Sequence, residues 1–324
     1  MKKKERAVKS PAIPIGPVLL TLSLLVGCQY FPLSKDSLAD GVGEARLLRL
    51  PYTSRVDGSS REYFVYLPRG YGEQPEKTWP VLMHLHGNGE RGNGGDDLDY
   101  TLIHGPLYEA WIQKRDLPFI ILVPQLHMFG MDKKVSYIAN RSRDSIPDRL
   151  AAGVPERKYI QPRGRMSIGQ PVSGWDEIPE GLPWGWEKVE ADLIAMLDHV
   201  SERYRVDDHR IYLTGLSYGG FGSWYMASRH PEKFAAVAPV VGWGHPNLMA
   251  PIAQNKVPVW VFAGGRDRTV EKSYFYAGVN RLEEMGGEVR FTVHEDMSHD
   301  VWRRVYEGQD LYQWLLQQSL EKSP

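Results

Sequence analysis

The chain predicts an α/β fold, a mostly parallel central sheet flanked by helices, and three observations carry that reading. Short runs rich in Val, Ile, Leu and Phe recur along most of the 324 residues. Helix-patterned stretches separate the later runs, and a Gly-x-Ser-x-Gly turn stands between a strand-like run and a helix-like one. Apolar runs without polar alternation are the mark of parallel strands buried on both faces. The composition, 42% hydrophobic and 24% charged, is that of a globular chain.

The first residues are of another kind. Lys2, Lys3, Lys4, Arg6 and Lys9 precede an apolar run from Val18 to Val26, too short for a membrane span of about 20 residues. Residues 1–27 are therefore expected to be a secretory signal peptide. The run closes in Leu25-Val26-Gly27-Cys28, which resembles the lipobox of bacterial lipoproteins. The resemblance implies cleavage before Cys28, lipidation of its thiol, and a membrane anchor in the bacterial cell envelope. Gln29 after the cysteine leans toward the outer membrane in a Gram-negative cell. Cys28 is the only cysteine, so an intrachain disulfide is excluded. Residues 28–45 read as a polar tether, and 46–320 as one folded domain.

Within that domain the strand-like runs are Tyr63 to Leu67, Val81 to Leu85, Phe119 to Val123, Arg210 to Leu213, Ala235 to Pro239, Val259 to Ala263 and Val289 to Val293. Lys188 to Tyr204 carries Val189, Leu193, Met196, Leu197 and Val200 at helical spacing; Ser273 to Met285 and Val301 to Leu316 also read as helices. The stretch Leu126 to Trp186 separates a strand from its following helix by far more than the usual 2 to 6 residues or so. It reads as an insertion at about 126–186, either a lid over a cleft or a packing flap.

The chemistry centres on Gly215-Leu216-Ser217-Tyr218-Gly219, after Ile211 to Thr214 and before the helical run Phe221 to His230. A serine on so sharp a strand-to-helix turn is pushed out above the sheet, and the flanking glycines leave room for close approach. Its hydroxyl needs a base and an orienting acid to act as a nucleophile. Asp267 follows the strand ending in Gly264-Gly265-Arg266, and His299 lies in the loop after Val293, so the order is Ser, Asp, His. His294 competes as the base and Asp296 or Asp300 as the acid; His299 is preferred because a residue several positions past the strand can swing across to the serine. Two amides are expected to hold an oxyanion: that of Tyr218, at the start of the helix, and that of Asn88, in His86-Gly87-Asn88-Gly89.

These segments, from Trp79-Pro80-Val81 through His86-Gly87-Asn88-Gly89-Glu90-Arg91-Gly92, Val123-Pro124-Gln125, Arg210 to Gly222 and Ser298-His299-Asp300-Val301-Trp302, resemble the phospholipase/carboxylesterase group of the α/β-hydrolase superfamily. The likeness is narrower to its bacterial "predicted peptidase" branch, which is similar to polyhydroxybutyrate depolymerases and feruloyl esterases. It implies an α/β-hydrolase fold and cleavage of carboxylic esters through an acyl-enzyme, with nucleophile Ser217, acid Asp267, base His299 and oxyanion donors Asn88 and Tyr218. The long insertion departs from the group, as does Gly264, where relatives often carry His.

Trp184 and Trp186 are candidate substrate-stacking residues. Glu90 and Arg91 read as an internal ion pair holding the loop. His84 and His86, two residues apart without further ligands, make a weak metal pair, and no metal or other cofactor is expected. Thirty-nine Lys and Arg against forty Asp and Glu leave no basic surface for nucleic acid. Residues 1–27 hold five Lys or Arg and one Glu, so removing them takes the net charge from -1 to about -5. The expected partners are a small-molecule or carbohydrate-linked ester and, through Cys28, a membrane. Two rivals stand: a prolyl-oligopeptidase-type serine peptidase, and a non-catalytic lipoprotein that binds glycans or a partner.

Overall fold

The computed structural model describes residues 43–154 and 170–320. The predicted signal peptide, Cys28, the tether up to residue 42 and residues 155–169 of the insertion lie outside the described residues. All described residues belong to one unit, Ser34–Pro324.

Eight strands form one sheet: β1 (Arg46–Thr53), β2 (Ser60–Leu67), β3 (Trp79–Leu85), β4 (Ile120–Val123), β5 (Val206–Leu216), β6 (Ala236–Val240), β7 (Val259–Gly264) and β8 (Val289–His294). Their spatial order is β1-β2-β4-β3-β5-β6-β7-β8. β2 pairs antiparallel with both β1 and β4, and the pairs from β4 to β8 are parallel. The helices are α1 (Ser136–Ala139), α2 (Glu190–Arg203), α3 (Tyr218–Arg229), α4 (Met249–Gln254), α5 (Phe275–Glu284), α6 (Trp302–Glu307) and α7 (Asp310–Leu316).

Side chains of a strand alternate between the two faces of its sheet, and both faces here are apolar. Val81, Met83 and Leu85 of β3 join α2, α3, α4 and α5 in one core. Leu82 faces the other way, with Tyr212, Phe262, the 98–112 segment and α6 and α7. Leu193, Met196, Leu197 and Val200 put one stripe of α2 into the first core. Each such side chain stabilises the fold by roughly 1.5–3 kcal/mol.

The differences from the expected elements have physical reasons. β1 was not anticipated; only Leu47 of Arg46–Thr53 is buried, so this edge strand carries no apolar run. Asp96–Leu102 and Tyr108–Ile112 form 3-10 and π turns rather than a regular helix, and so escape a search for a 3.6-residue period. The expected last helix is two, broken where Gly308 turns extended.

Candidate active site

The carboxyl ends of β3, β5, β7 and β8 carry the site. Ser217 follows β5 with φ 51° and ψ -115°, a conformation that costs a non-glycine residue energy and persists only where its surroundings impose it. Here the surroundings do: the Ser217 amide donates to the Val240 carbonyl at 2.9 Å, and its carbonyl accepts from the Phe221 amide at 3.1 Å. Glycine is required on both sides. A Cβ on Gly215 would run into the Gly219 backbone, and one on Gly219 into the Leu85 carbonyl.

His299 and Asp267 arrive from the loops after β8 and β7. Asp267 Oδ1 accepts from the Thr269 amide at 2.8 Å and the Val270 amide at 2.9 Å, and Oδ2 faces His299 Nδ1 at 2.7 Å. Burial alone would raise this carboxyl; the bonds from His299 and the two amides outweigh it and hold it below the ordinary range. His299 Nε2 lies 3.0 Å from Ser217 Oγ. With the Nδ1 proton given to the carboxylate, Nε2 presents a lone pair to the serine hydroxyl. Gly264 sits where a side chain would strike the Ser298 carbonyl, so the departure from the expected His makes room for the loop that delivers His299.

The competitors are occupied elsewhere. His294 is fully buried against Phe262, and Asp296 takes both arms of Arg304 at 2.7 and 2.6 Å. Asp300 faces Arg303 at 3.9 Å.

The loop after β3 passes beside the serine turn: a Cβ on Gly87 would come 2.7 Å from Leu216 Cδ1. His86 controls its first peptide. The Leu126 amide donates to His86 Nε2 at 2.9 Å, so the ring proton sits on Nδ1 and is donated to the Gly87 carbonyl at 2.6 Å. There are no cis peptides among the described residues, and in a trans peptide the N–H points opposite to the carbonyl. The Asn88 amide is therefore aimed away from His86. Further along, the carbonyls of Gly89, Glu90, Arg91 and Gly92 each accept from a side chain: Arg141, Gln125, Arg141 and Arg61. This loop has little freedom to rearrange.

Two expectations need correction. Trp186 is 1% exposed and donates through Nε1 to the His86 carbonyl at 3.2 Å; it is a core residue under the loop and meets no substrate. Trp184, the other candidate stacking residue, keeps its ring open to solvent with Lys134 Nζ 3.8 Å above it, which does not bear on that expectation. Glu90 and Arg91 do not pair with each other. Glu90 is pushed up to about 7, chiefly by burial, and Arg91 bonds Asn88 Oδ1 and the His127 carbonyl. The two histidines also resolve apart: His84 is buried against Tyr306 on the opposite face from His86 and is pushed down to about 3 by desolvation. Both are neutral packing residues. Among the described residues no group of three His, Cys, Asp or Glu could hold a metal ion.

The sequence reading missed aromatic neighbours. Trp302 sets its ring edge-on to His299 at 5.2 Å and tilts on His104 at 5.5 Å. A cavity of about 320 Å³ lies against it, lined also by Tyr108, Ser145, Arg303 and Tyr306. Trp302 was visible three residues after His299; His104 comes from a remote turn and carries no local signal. On another side, Trp175 of the insertion packs edge-on against Trp243 at 5.2 Å and Tyr274 at 6.2 Å.

The prolyl oligopeptidase family model matches residues 184–250, the stretch from just before α2 through the serine turn to the start of α4. A bifunctional acetylxylan esterase/xylanase of Neocallimastix patriciarum, XynS20E, is 29% identical over 145 residues, 44% of this chain and 19% of that protein. The chain thus spans about a fifth of the length of that relative. A Salmonella typhimurium protein provisionally named carboxymethylenebutenolidase is 28% identical over 256 residues, 72% of this chain and 86% of its own length. Among solved structures, a thermostable esterase superposes with a TM-score of 0.55 at 23% identity, covering 84% of this chain and 63% of its own. The chain has the α/β-hydrolase fold, a mostly parallel eight-stranded sheet flanked by helices.

Proposed function

We propose that the chain is an exported serine esterase, cleaving carboxylic esters through an acyl-enzyme. The observation that carries this is the hydrogen-bond chain from Asp267 through His299 to Ser217, ending on a serine hydroxyl held in a strained turn. Ser217 Oγ attacks the ester carbonyl while His299 Nε2 takes its proton. The Asn88 and Tyr218 amides receive the oxyanion; His299 returns the proton to the leaving alcohol oxygen, and Asp267 steadies the imidazolium between these steps. Water then attacks the acyl-enzyme by the same sequence and frees the acid. The cavity beside Trp302 supplies room for one half of the ester. A carbohydrate-linked ester is favoured by the acetylxylan esterase named in the 29%-identical relative.

The peptidase reading has the family match at 184–250 in its favour. That stretch contains the nucleophile turn but neither Asp267 nor His299, so it speaks for shared hydrolytic machinery rather than for a peptide substrate. Turnover of p-nitrophenyl acetate, methyl ferulate, acetylated xylo-oligosaccharides and aminoacyl-p-nitroanilides separates the two. Ester turnover is expected; amide turnover without it overturns the esterase reading, and a wild type that no fluorophosphonate labels favours a binding protein. The proposal includes lipid attachment at Cys28 in the cell envelope, which intact-mass analysis of membrane-extracted protein tests against a Cys28→Ser variant.

A further inference from the structure

Two amides on separate elements can share one oxyanion only if their separation is fixed. Asn88 begins a turn after β3 and Tyr218 begins α3 after β5, and Arg91 touches both residues. Its side chain is fully buried. Nε donates to Asn88 Oδ1 at 2.6 Å, Nη1 donates to the His127 carbonyl at 3.0 Å, and Cζ lies 4.8 Å from the centre of the Tyr218 ring. The other end of the Asn88 side chain donates to the Tyr137 hydroxyl at 2.7 Å. The backbone around Arg91 is clamped from outside by Arg141 of the insertion, which donates to the carbonyls of Gly89 and Arg91 and stacks on Tyr100 at 3.8 Å.

The partners of this guanidinium are a side-chain amide, a main-chain carbonyl and an aromatic face. Glu187 offsets the buried charge only through space, without a hydrogen bond to it, and burying a cation that no carboxylate bonds costs stability, so packing alone does not account for its presence. A planar fork does account for it: it can hold a hydrogen-bond acceptor in its plane and an aromatic ring on its face at once, which an ammonium cannot. Resting on the esterase reading of the site, we propose that Arg91 is a positioning residue for the oxyanion hole. It registers the Asn88 loop against the Tyr218 helix, and residues Tyr137 and Arg141 of the insertion brace that loop from the other side. The insertion then acts on the rate of the chemical step and not only on access to the cleft.

The test compares wild type, Arg91→Met, Arg91→Lys and Asn88→Ala with p-nitrophenyl acetate and with an alkyl trifluoromethyl ketone, whose adduct with the serine carries an oxyanion. Asn88→Ala keeps the main-chain donor and removes only the grip on it, so it serves where Arg91→Met fails to accumulate. Loss of oxyanion-hole alignment is expected to lower kcat about 30- to 100-fold with KM within about threefold. The inhibition constant of the ketone should rise by a similar factor, and Arg91→Lys should recover only part of the loss. Unchanged kcat in Arg91→Met, or in Asn88→Ala in its place, overturns the proposal. So does a fall in kcat with ketone affinity intact, which marks a merely structural residue. Wild type that turns over no ester while still binding the ketone counts against the esterase reading, and ketone affinity across the variants then decides the role of Arg91.

Discussion

The described residues hold two groupings of serine, histidine and aspartate, and their comparison shows how the same residue types can leave a serine hydroxyl facing a free imidazole nitrogen or tie it into a packing cluster. In one, Ser217 Oγ lies 3.0 Å from His299 Nε2, and His299 Nδ1 lies 2.7 Å from Asp267. In the other, Ser54 Oγ lies 3.2 Å from His127 Nε2, and His127 Nδ1 lies 3.5 Å from Asp57. The residue types and their sequence of contacts are the same. The proton assignments are opposite. Ser54 Oγ donates its single proton to Asp192 Oδ2 at 2.8 Å, so a bond to His127 requires the imidazole to donate from Nε2. An imidazole that donates there cannot take a proton from the serine. Ser54 is also 2% exposed and, unlike Ser217, does not have a positive φ. Around Ser217 the carboxylate holds the far nitrogen and leaves the near one free; around Ser54 a second carboxylate reaches the hydroxyl first.

The largest effect that tests this contrast is loss of the serine hydroxyl. Ser217→Ala is expected to lower kcat/KM by about 10⁴-fold or more and to abolish fluorophosphonate labelling. Ser54→Ala should keep ester turnover and labelling close to wild type while destabilising the fold by about 1–3 kcal/mol, because Asp192 loses a buried donor. Residual labelling of Ser217→Ala, mapped to Ser54 by peptide mass, would contradict the proton assignment.

Next in size is the acid. Asp267→Asn should lower kcat by on the order of 10³- to 10⁴-fold, because the amide can no longer hold the Nδ1 proton as the carboxylate does. It also has a stability signature. The folded carboxyl lies below its ordinary value, so its contribution is present above the unfolded value near 4 and is lost as pH falls through the folded one. Acid-unfolding curves of Asp267→Asn should therefore be flatter than those of wild type below about pH 4.

Much of the first grouping was legible in the chain. The strand, the glycine-flanked serine and the helix are contiguous, and the two partners each follow an apolar run in the expected order, so local pattern and chain order together pointed to Ser217, Asp267 and His299. The second grouping was not legible, since Ser54, Asp57, His127 and Asp192 come from the β1–β2 turn, the insertion and α2. Trp186 misled for a related reason. Trp-Pro-Gly composition resembles an exposed loop, yet a cleft between α3 and the loop at His86 receives its ring; a Cβ on Gly222 would come 2.6 Å from it. Arg91 looked like an ion-pair partner of its neighbour Glu90; beyond Asn88, its actual contacts, the His127 carbonyl and the Tyr218 ring, are brought in by the fold and are not visible in sequence.

The loop between the two groupings gives a smaller effect. Burial pushes Glu90 up to about 7, against its own amide, Arg141 and the Gly87 amide, which pull it down. A carboxyl raised above its ordinary 4.5 favours the fold at pH below that value, and the advantage is lost as pH rises through about 7. Glu90→Gln removes the ionisation, so its Tm relative to wild type should be about 2–5 °C higher at pH 8 than at pH 5. Equal differences at the two pH values would mean that Glu90 is solvated and the loop looser than its held carbonyls imply.

The smallest effect probes the weakest link of the second grouping. Asp57 is half exposed, with 50% of its side chain accessible, and its contact with His127 is 3.5 Å. Asp192 is 2% exposed and accepts from both Ser54 Oγ and the Arg55 amide. Burial pushes the His127 ring down, toward the neutral form, which has little to offer Asp57. Asp57→Asn is therefore expected to change unfolding free energy by less than about 0.5 kcal/mol, as for other exposed charges. Asp192→Asn should cost about 1.5–3 kcal/mol, the range for buried bonds to a charged acceptor. Urea unfolding of both variants reads the difference directly. Equal costs would mean that His127 is held as an imidazolium between two carboxylates, and opposite tautomers would no longer set the two groupings apart.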